Sequence, residues 1–446
     1  MTPISPERSR GTRALLSALL LLALPASAGS RARYGGTLKI GAAARAVETD
    51  PLLADTPIEA TLVSLLNRPL CRVERSGAVT PVLSTELSRP TPTTLRALLR
   101  PGLARASGPE LSTAELAAHL TRIAASASPY RALLAPLKSA TATELTLAFP
   151  FPDFERALCH PALAPPGVGP YRFVNQVFTA NVFFPEGRPF TDALTVSSTD
   201  ARTAARLLQQ RKTHLALGLG TAADDSALLY ATFLAFNPGK AGPGFRAAFE
   251  SAIERTDLTR FFVLPPAAPM PQLLPPPLAV GMADPARLPK PAVLAAPREL
   301  TLAYDAALVD HRAVAERLQV KLHASGYRIA LRPLSRSQLR QKSAELDLVL
   351  QSVLVPPTPS LAIALALELG GRHDQLGPSL IALGAIADDK ARAHAAQTLA
   401  EKLWSELPLI PLYAQALGIQ SSKDVQNLKT DAQGLPLLDS VFLGQD

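Results

Sequence analysis

Residues 345–368, ELDLVLQSVLVPPTPSLAIALALE, hold twenty consecutive positions without a charge between Asp347 and Glu368. As one helix such a run is long enough to cross a bilayer. Pro356, Pro357 and Pro359 forbid that helix, because proline removes an amide donor and clashes with the preceding turn. The run divides instead into a buried strand, a turn and an apolar helix. Upstream, 299–304 (ELTLAY) has strand character, and Asp310 is placed to cap a helix through 324 with Val314, Leu318 and Leu322 on one face. Gly326 follows its end, and 327–332 (YRIALR) alternates apolar and polar like a half-buried strand. A short helix over 335–344 leads into the apolar strand 346–354. The order is β-α-β-α-β, and right-handed crossovers make such strands parallel, with helices on the sheet faces. An all-apolar final strand fits a position covered on both sides.

The same alternation recurs earlier in the chain. Residues 193–196 read as a strand, 200–211 (DARTAARLLQQR) as a helix opened by Thr199, and 214–219 as another strand. Segments 36–42, 94–99 and 144–149 alternate like strands of a larger mixed region. Between the two α/β regions lies 264–297, with eleven prolines and few of the charged or small polar residues of a solvated tether. It is expected to run extended and packed on the protein rather than to swing freely.

Length and composition add limits. A chain of 446 residues exceeds one compact core and implies at least two domains. Arg8, Arg10 and Arg13, the apolar run 14–24 and Ala26-Ser27-Ala28 form the three parts of a secretory leader, cleaved after Ala28. No cysteine stands near that site to carry a lipid. Cleavage removes three Arg and one Glu and lowers the formal net charge from +8 to +6. The basic residues are interleaved with acids and form no stripe with aromatics, so a nucleic-acid partner is not expected. Cys71 and Cys159 are the only cysteines; in an exported chain they could be bridged or stay as two thiols, and spacing leaves both open. Seven dispersed histidines form no metal-ligand pair, and no phosphate loop, dinucleotide fingerprint or serine elbow is present. No metal, cofactor or catalytic residue is assigned. Trp404, in a helical stretch with Leu399 and Leu403, reads as a core contact.

Several segments together resemble, in order, the family 5 extracellular solute-binding proteins of ABC importers for peptides, nickel and other solutes. GGTLKIG (35–41) is similar to the family's opening strand, and Thr49-Asp50-Pro51 to the turn that follows. Gly77-Ala78-Val79-Thr80-Pro81, LRPGL (99–103) and LSTAELAAHLTRI (111–123) resemble its next stretches, and GVGPYRFV (167–174) its G-T-G-P-Y-x-F motif. LAFNPGKAGPGFRAAFESAIERTDL (234–258) and Leu409-Ile410-Pro411-Leu412-Tyr413 resemble the two segments that cross between its lobes. The resemblance covers nearly the whole mature chain. It implies an α/β, two-lobed periplasmic-binding-protein-like fold (type II), with mixed sheets and a hinge crossed twice. Lobe I is then 29–240, lobe II 241–414 with the proline-rich loop, and 415–446 the return to lobe I. The crossings are expected near 237–245 and 413–418.

The implied role is a monomeric periplasmic protein that binds a small molecule or peptide and delivers it to an ABC transporter permease. Its cleft would be bounded by Glu48 and Asp50, Asn237, Gln351 and Ser352, and Tyr413, with Val353 and Leu354 as apolar wall. The sequence also departs from the family. Residues 106–109 (ASGP) stand where the family has F-H-D-G, and 351–359 (QSVLVPPTP) carries none of the acids usual after this strand. Peptide binders of the family place an aspartate there to meet the ligand's α-ammonium. Leaving that charge unpaired would cost about 3–5 kcal/mol, by analogy with a broken buried pair. The second reading is a solute-binding-like protein that has lost import and acts in structure, interaction or sensing.

Overall fold

The structure is a computed structural model that describes residues 33–44, 49–105, 110–141, 144–220, 227–242, 244–285, 288, 297–342 and 345–444. The leader, Glu48 and the 106–109 departure lie outside the described residues.

The β-α-β-α-β unit forms as its periodicity dictates. Strands Arg298–Asp305, Tyr327–Leu334 and Leu348–Leu354 are parallel, with the first between the other two. Helices Val309–His323 and Arg336–Lys342 make the crossovers. Asp310 is not the helix cap. The Asp305 carboxylate accepts the Ala307 amide at 2.9 Å and turns the chain at once, so the helix is already under way at Val309. The sheet is completed by Tyr230–Phe236, antiparallel to both Leu348–Leu354 and Leu409–Gln415, and by the edge strand Ala267–Pro269.

The uncharged run resolves as its prolines require. Every residue of Leu348–Leu354 except Gln351 is buried. Pro359 occupies the first turn of helix Pro359–Leu369, where its missing amide costs nothing, and Ser360 through Leu367 are buried. Among the described residues no helix is long and apolar enough to cross a membrane.

A second six-stranded sheet has the order Ile419–Ser421, Leu215–Leu217, Thr37–Ala42, Ala193–Ser198, Val177–Ala180, Tyr171–Val174. Thr37–Ala42 runs parallel to both of its neighbours. The crossover helix Ala201–Gln209 is capped by Asp200, not Thr199, through its carboxylate and the Thr203 amide at 2.9 Å. The chain thus passes between the two mixed sheets after Leu217, earlier than expected, because Tyr230–Phe236 is a central strand of the second sheet. It returns between Gln415 and Ile419, as expected.

A four-stranded antiparallel sheet, Ser84–Thr91, Thr94–Leu99, Glu144–Leu147 and Leu137–Ala140, packs with helices Pro359–Leu369, His373–Gly384 and Asp389–Glu406 in one hydrophobic core. Cys71 and Cys159 are joined as a disulfide within that core. Arg392 and Asp153, both nearly sealed from solvent, pair through two hydrogen bonds of 2.8 and 3.0 Å across it. The described part of the proline-rich segment is packed: Met270, Leu273 and Leu274 are buried, and Trp404 donates its indole N–H to the Pro271 carbonyl at 2.8 Å. Trp404 is a core contact.

Candidate functional site

In parallel sheets the carboxyl ends of the strands, where crossovers begin, leave a crevice. Here the carboxyl ends of Thr37–Ala42 and Arg298–Asp305 face one cavity of about 610 Å³. From the first sheet's side it is lined by Ala43, Ala44, Ile58 and Glu59; from the second by Asp305 through Asp310, Arg336, Tyr230 and Gln415. The walls are mostly apolar, with a few polar groups converging on them, as in pre-formed ligand sites.

Its base is an ion network that joins the two sides. Helix Pro57–Leu66 is opened by a capping box in which Thr56 and Glu59 satisfy each other's backbone amides. This holds Glu59 facing Arg336, whose guanidinium meets it at 2.9 and 3.2 Å. The same guanidinium reaches Asp305 at 2.8 Å, Asp55 at 3.3 Å and the Leu53 carbonyl. Arg340, one turn further along its helix, pairs with Asp55 at 2.6 Å and with the Leu52 carbonyl. Burial pushes the Asp55 carboxyl up to about 6 against the pull of Arg340 and Arg336. Burial also opposes the charge on Arg336, but Asp55, Glu59 and Asp305 outweigh it and hold the guanidinium above its ordinary range.

Beneath the cavity runs a neutral chain of hydrogen bonds. Ser352 shares 2.7 Å contacts with Thr232 and with Nε2 of His311, whose pKa burial lowers. The end of strand Leu348–Leu354 is closed off. The Tyr130 hydroxyl donates to Asp55 at 3.4 Å and accepts the Leu354 amide at 3.0 Å, and His160 Nε2 donates to the Leu354 carbonyl at 3.0 Å. Leu354 packs with Ala60 and Leu435, and Val353 lies in the main core.

The residues expected to bound the cleft therefore separate. Asp50 caps the turn Pro51–Leu53, its Oδ1 accepting the Leu52 amide at 3.0 Å. Asn237 caps Pro238–Ala241 in the same way and, with Gln351, Arg131 and Glu368, lines a different cavity of about 530 Å³. Ser352 and Tyr413 are buried under the cleft floor, and the Tyr413 hydroxyl has no hydrogen-bond partner among the described residues. The sequence reading missed Glu59, Asp305, Asp310, Arg336 and Gln415. The strand-end rule could have found Asp305, the last residue of a parallel strand; nothing local marks the others. Among the described residues no three His, Cys, Asp or Glu side chains gather to hold a metal ion.

Neither a family model nor a curated protein matches the sequence. Solved structures do. DppA of Helicobacter pylori, an ABC transporter-associated periplasmic binding protein in complex with the peptide STSA, superposes with a TM-score of 0.75 at 16% identity, over 93% of this chain and 99% of that one. NikA of Staphylococcus aureus, in complex with Ni(L-His)2, gives 0.71 at 15% identity over 91% and 99%. AppA of Bacillus subtilis, an oligopeptide-binding protein holding a nonapeptide, gives 0.70 at 14% identity over 93% and 100%. The chain has the two-lobed α/β fold of periplasmic binding proteins. Within that fold the structures just named hold chemically different ligands, so the ligand must be argued from the cleft itself.

Proposed function

We propose that this chain is a divergent member of the family 5 solute-binding proteins, exported to the periplasm by its leader, that binds a small solute and presents it to an ABC importer permease. The cavity of about 610 Å³ between the two mixed sheets carries this reading, since it lies where the fold closes around ligands. The two lobes are taken to divide at the crossing after Leu217 rather than near 240, with the return after Gln415 and a monomer as the working unit. The Arg336 and Arg340 network gives a second reading its footing. It bridges the two sides through the protein's own side chains, as suits a protein that closes without import and serves interaction or sensing.

Native mass spectrometry of the exported protein, followed by a thermal-shift screen of peptides, amino-acid derivatives, amines, sugars and nickel complexes, separates the two. A co-purifying solute, or a stabilising one, is the expected outcome. A protein that carries nothing and responds to nothing belongs to the second reading.

A further inference from the structure

Among the charged groups that line the main cleft, the one without a counter-charge is a carboxylate. Arg336 is saturated by Asp55, Glu59 and Asp305, and Arg340 by Asp55 and a carbonyl, so the clustered charges are already one carboxylate in excess. Asp310 adds a further carboxylate to the lining, and no cationic side chain pairs with it among the described residues; its Oδ1 accepts the His311 amide at 3.1 Å, and the Tyr413 hydroxyl lies near enough to feel its charge. Gln415 lines the same cavity and is only 8% exposed. Its Nε2 donates to the Leu264 carbonyl at 3.1 Å, and its Oε1, sealed from solvent, has no partner among the described residues. Tyr230, the register partner of Gln415 in the sheet, feels the Asp310 charge after its own burial and sits on the same wall. A carboxylate without a counter-ion, beside a network already one carboxylate in excess, calls for a ligand that brings positive charge.

We propose that the cleft selects a small solute bearing a cationic nitrogen on an apolar body, with Asp310 as counter-ion. This rests on the solute-binding reading above. The apolar body packs against Ala43, Ala44, Ile58 and Leu417. The same balance disfavours a free peptide or amino acid. A zwitterion needs a cation for its carboxylate, and the one arginine lining the cavity is committed to three acids.

The test is calorimetry of the exported full chain at low salt with three probes of matched size: 2-phenylethylammonium, phenylalanine and 3-phenylpropanoate. Only the ammonium probe is expected to bind. Asp310→Asn should weaken it by about 30-fold or more, the lower range for removing one partner of a desolvated charge pair. Asp310→Glu should restore part of the affinity, and unchanged melting of both variants shows that they fold. Equal or tighter binding of phenylalanine or phenylpropanoate overturns the proposal, as does an Asp310→Asn variant that binds the ammonium probe undiminished. If no probe binds while a neutral or anionic solute co-purifies with the protein, the cation assignment is wrong and the solute-binding reading stands. If nothing binds and nothing co-purifies, both fall.

Discussion

Arg392 and Asp153 meet where helix Asp389–Glu406 crosses the short helix Phe154–Leu158, each at most 3% exposed. Burial alone would raise the Asp153 pKa, but the Arg392 and Ser360 hydrogen bonds outweigh it and hold the carboxyl below its ordinary range. Replacing Arg392 by Met strands a buried carboxylate and should cost about 3–5 kcal/mol in urea unfolding. A loss under about 1 kcal/mol would mean that water or Arg156 already compensates. His160 makes the opposite case. Neutral, it donates from Nε2 to Leu354 and accepts the Ala162 amide at Nδ1, and burial lowers its pKa from 6.5 to about 4. A histidine held neutral in the fold binds its proton less readily there than in the unfolded chain. Its stabilising contribution is therefore complete above about 6.5 and lost as pH falls toward about 4. Proton NMR should find the His160 ring untitrated down to pH about 5; a midpoint near 6.5 would show that the strand end is open to water.

At the scale of elements, the tightest joint is between helix His373–Gly384 and the loop before Phe154–Leu158. A Cβ on Gly384 would lie 2.2 Å from the Pro150 carbonyl oxygen, backbone that cannot swing aside. Gly384→Ala should therefore destabilise by about 1–3 kcal/mol, although alanine is the better helix former. Unchanged or raised stability in denaturant titration would show that the helix can shift off the loop. Most of these elements were legible in the sequence. Helix Val309–His323 and strand Tyr327–Leu334 follow from periodicities of 3.6 and 2, and strand Leu348–Leu354 from its lack of a polar face. Their ends were less so. The shift of the cap from Asp310 to Leu308 comes from a hydrogen bond that Asp305 makes, which no periodicity registers.

For the whole molecule, the consequential feature is that the two sides of the cleft are joined through Arg336. In a binding protein, ligand closes lobes by favouring the closed arrangement over the open one. A network spanning the cleft adds its own weight to the closed arrangement. Arg336→Gln removes the contacts to Asp55, Glu59 and Asp305 together. Small-angle X-ray scattering should then show a larger radius of gyration for the ligand-free variant than for the wild type. Identical profiles would assign closure to the apolar contacts, such as Ala60 with Leu354, rather than to the ion network.

Local patterning was enough for the two α/β regions, the parallel β-α-β-α-β unit and the division of the uncharged run at its prolines, because burial and proline geometry act within a few residues. The cleft was not readable in that way. Gln351 and Ser352 are neighbours on one strand, and successive side chains point to opposite faces. No periodicity says which face meets which layer: Gln351 lines the second cavity, while Ser352 bonds Thr232 and His311 below the first. Glu59, Asp310 and Gln415, far apart in the chain, line one cavity only because the two sheets bring their strand ends together. The twenty uncharged residues were recognisable as interior from their order alone. That they close the end of their strand against Tyr130 and His160, leaving the carboxylates of other elements to face the cleft, was settled by long-range packing.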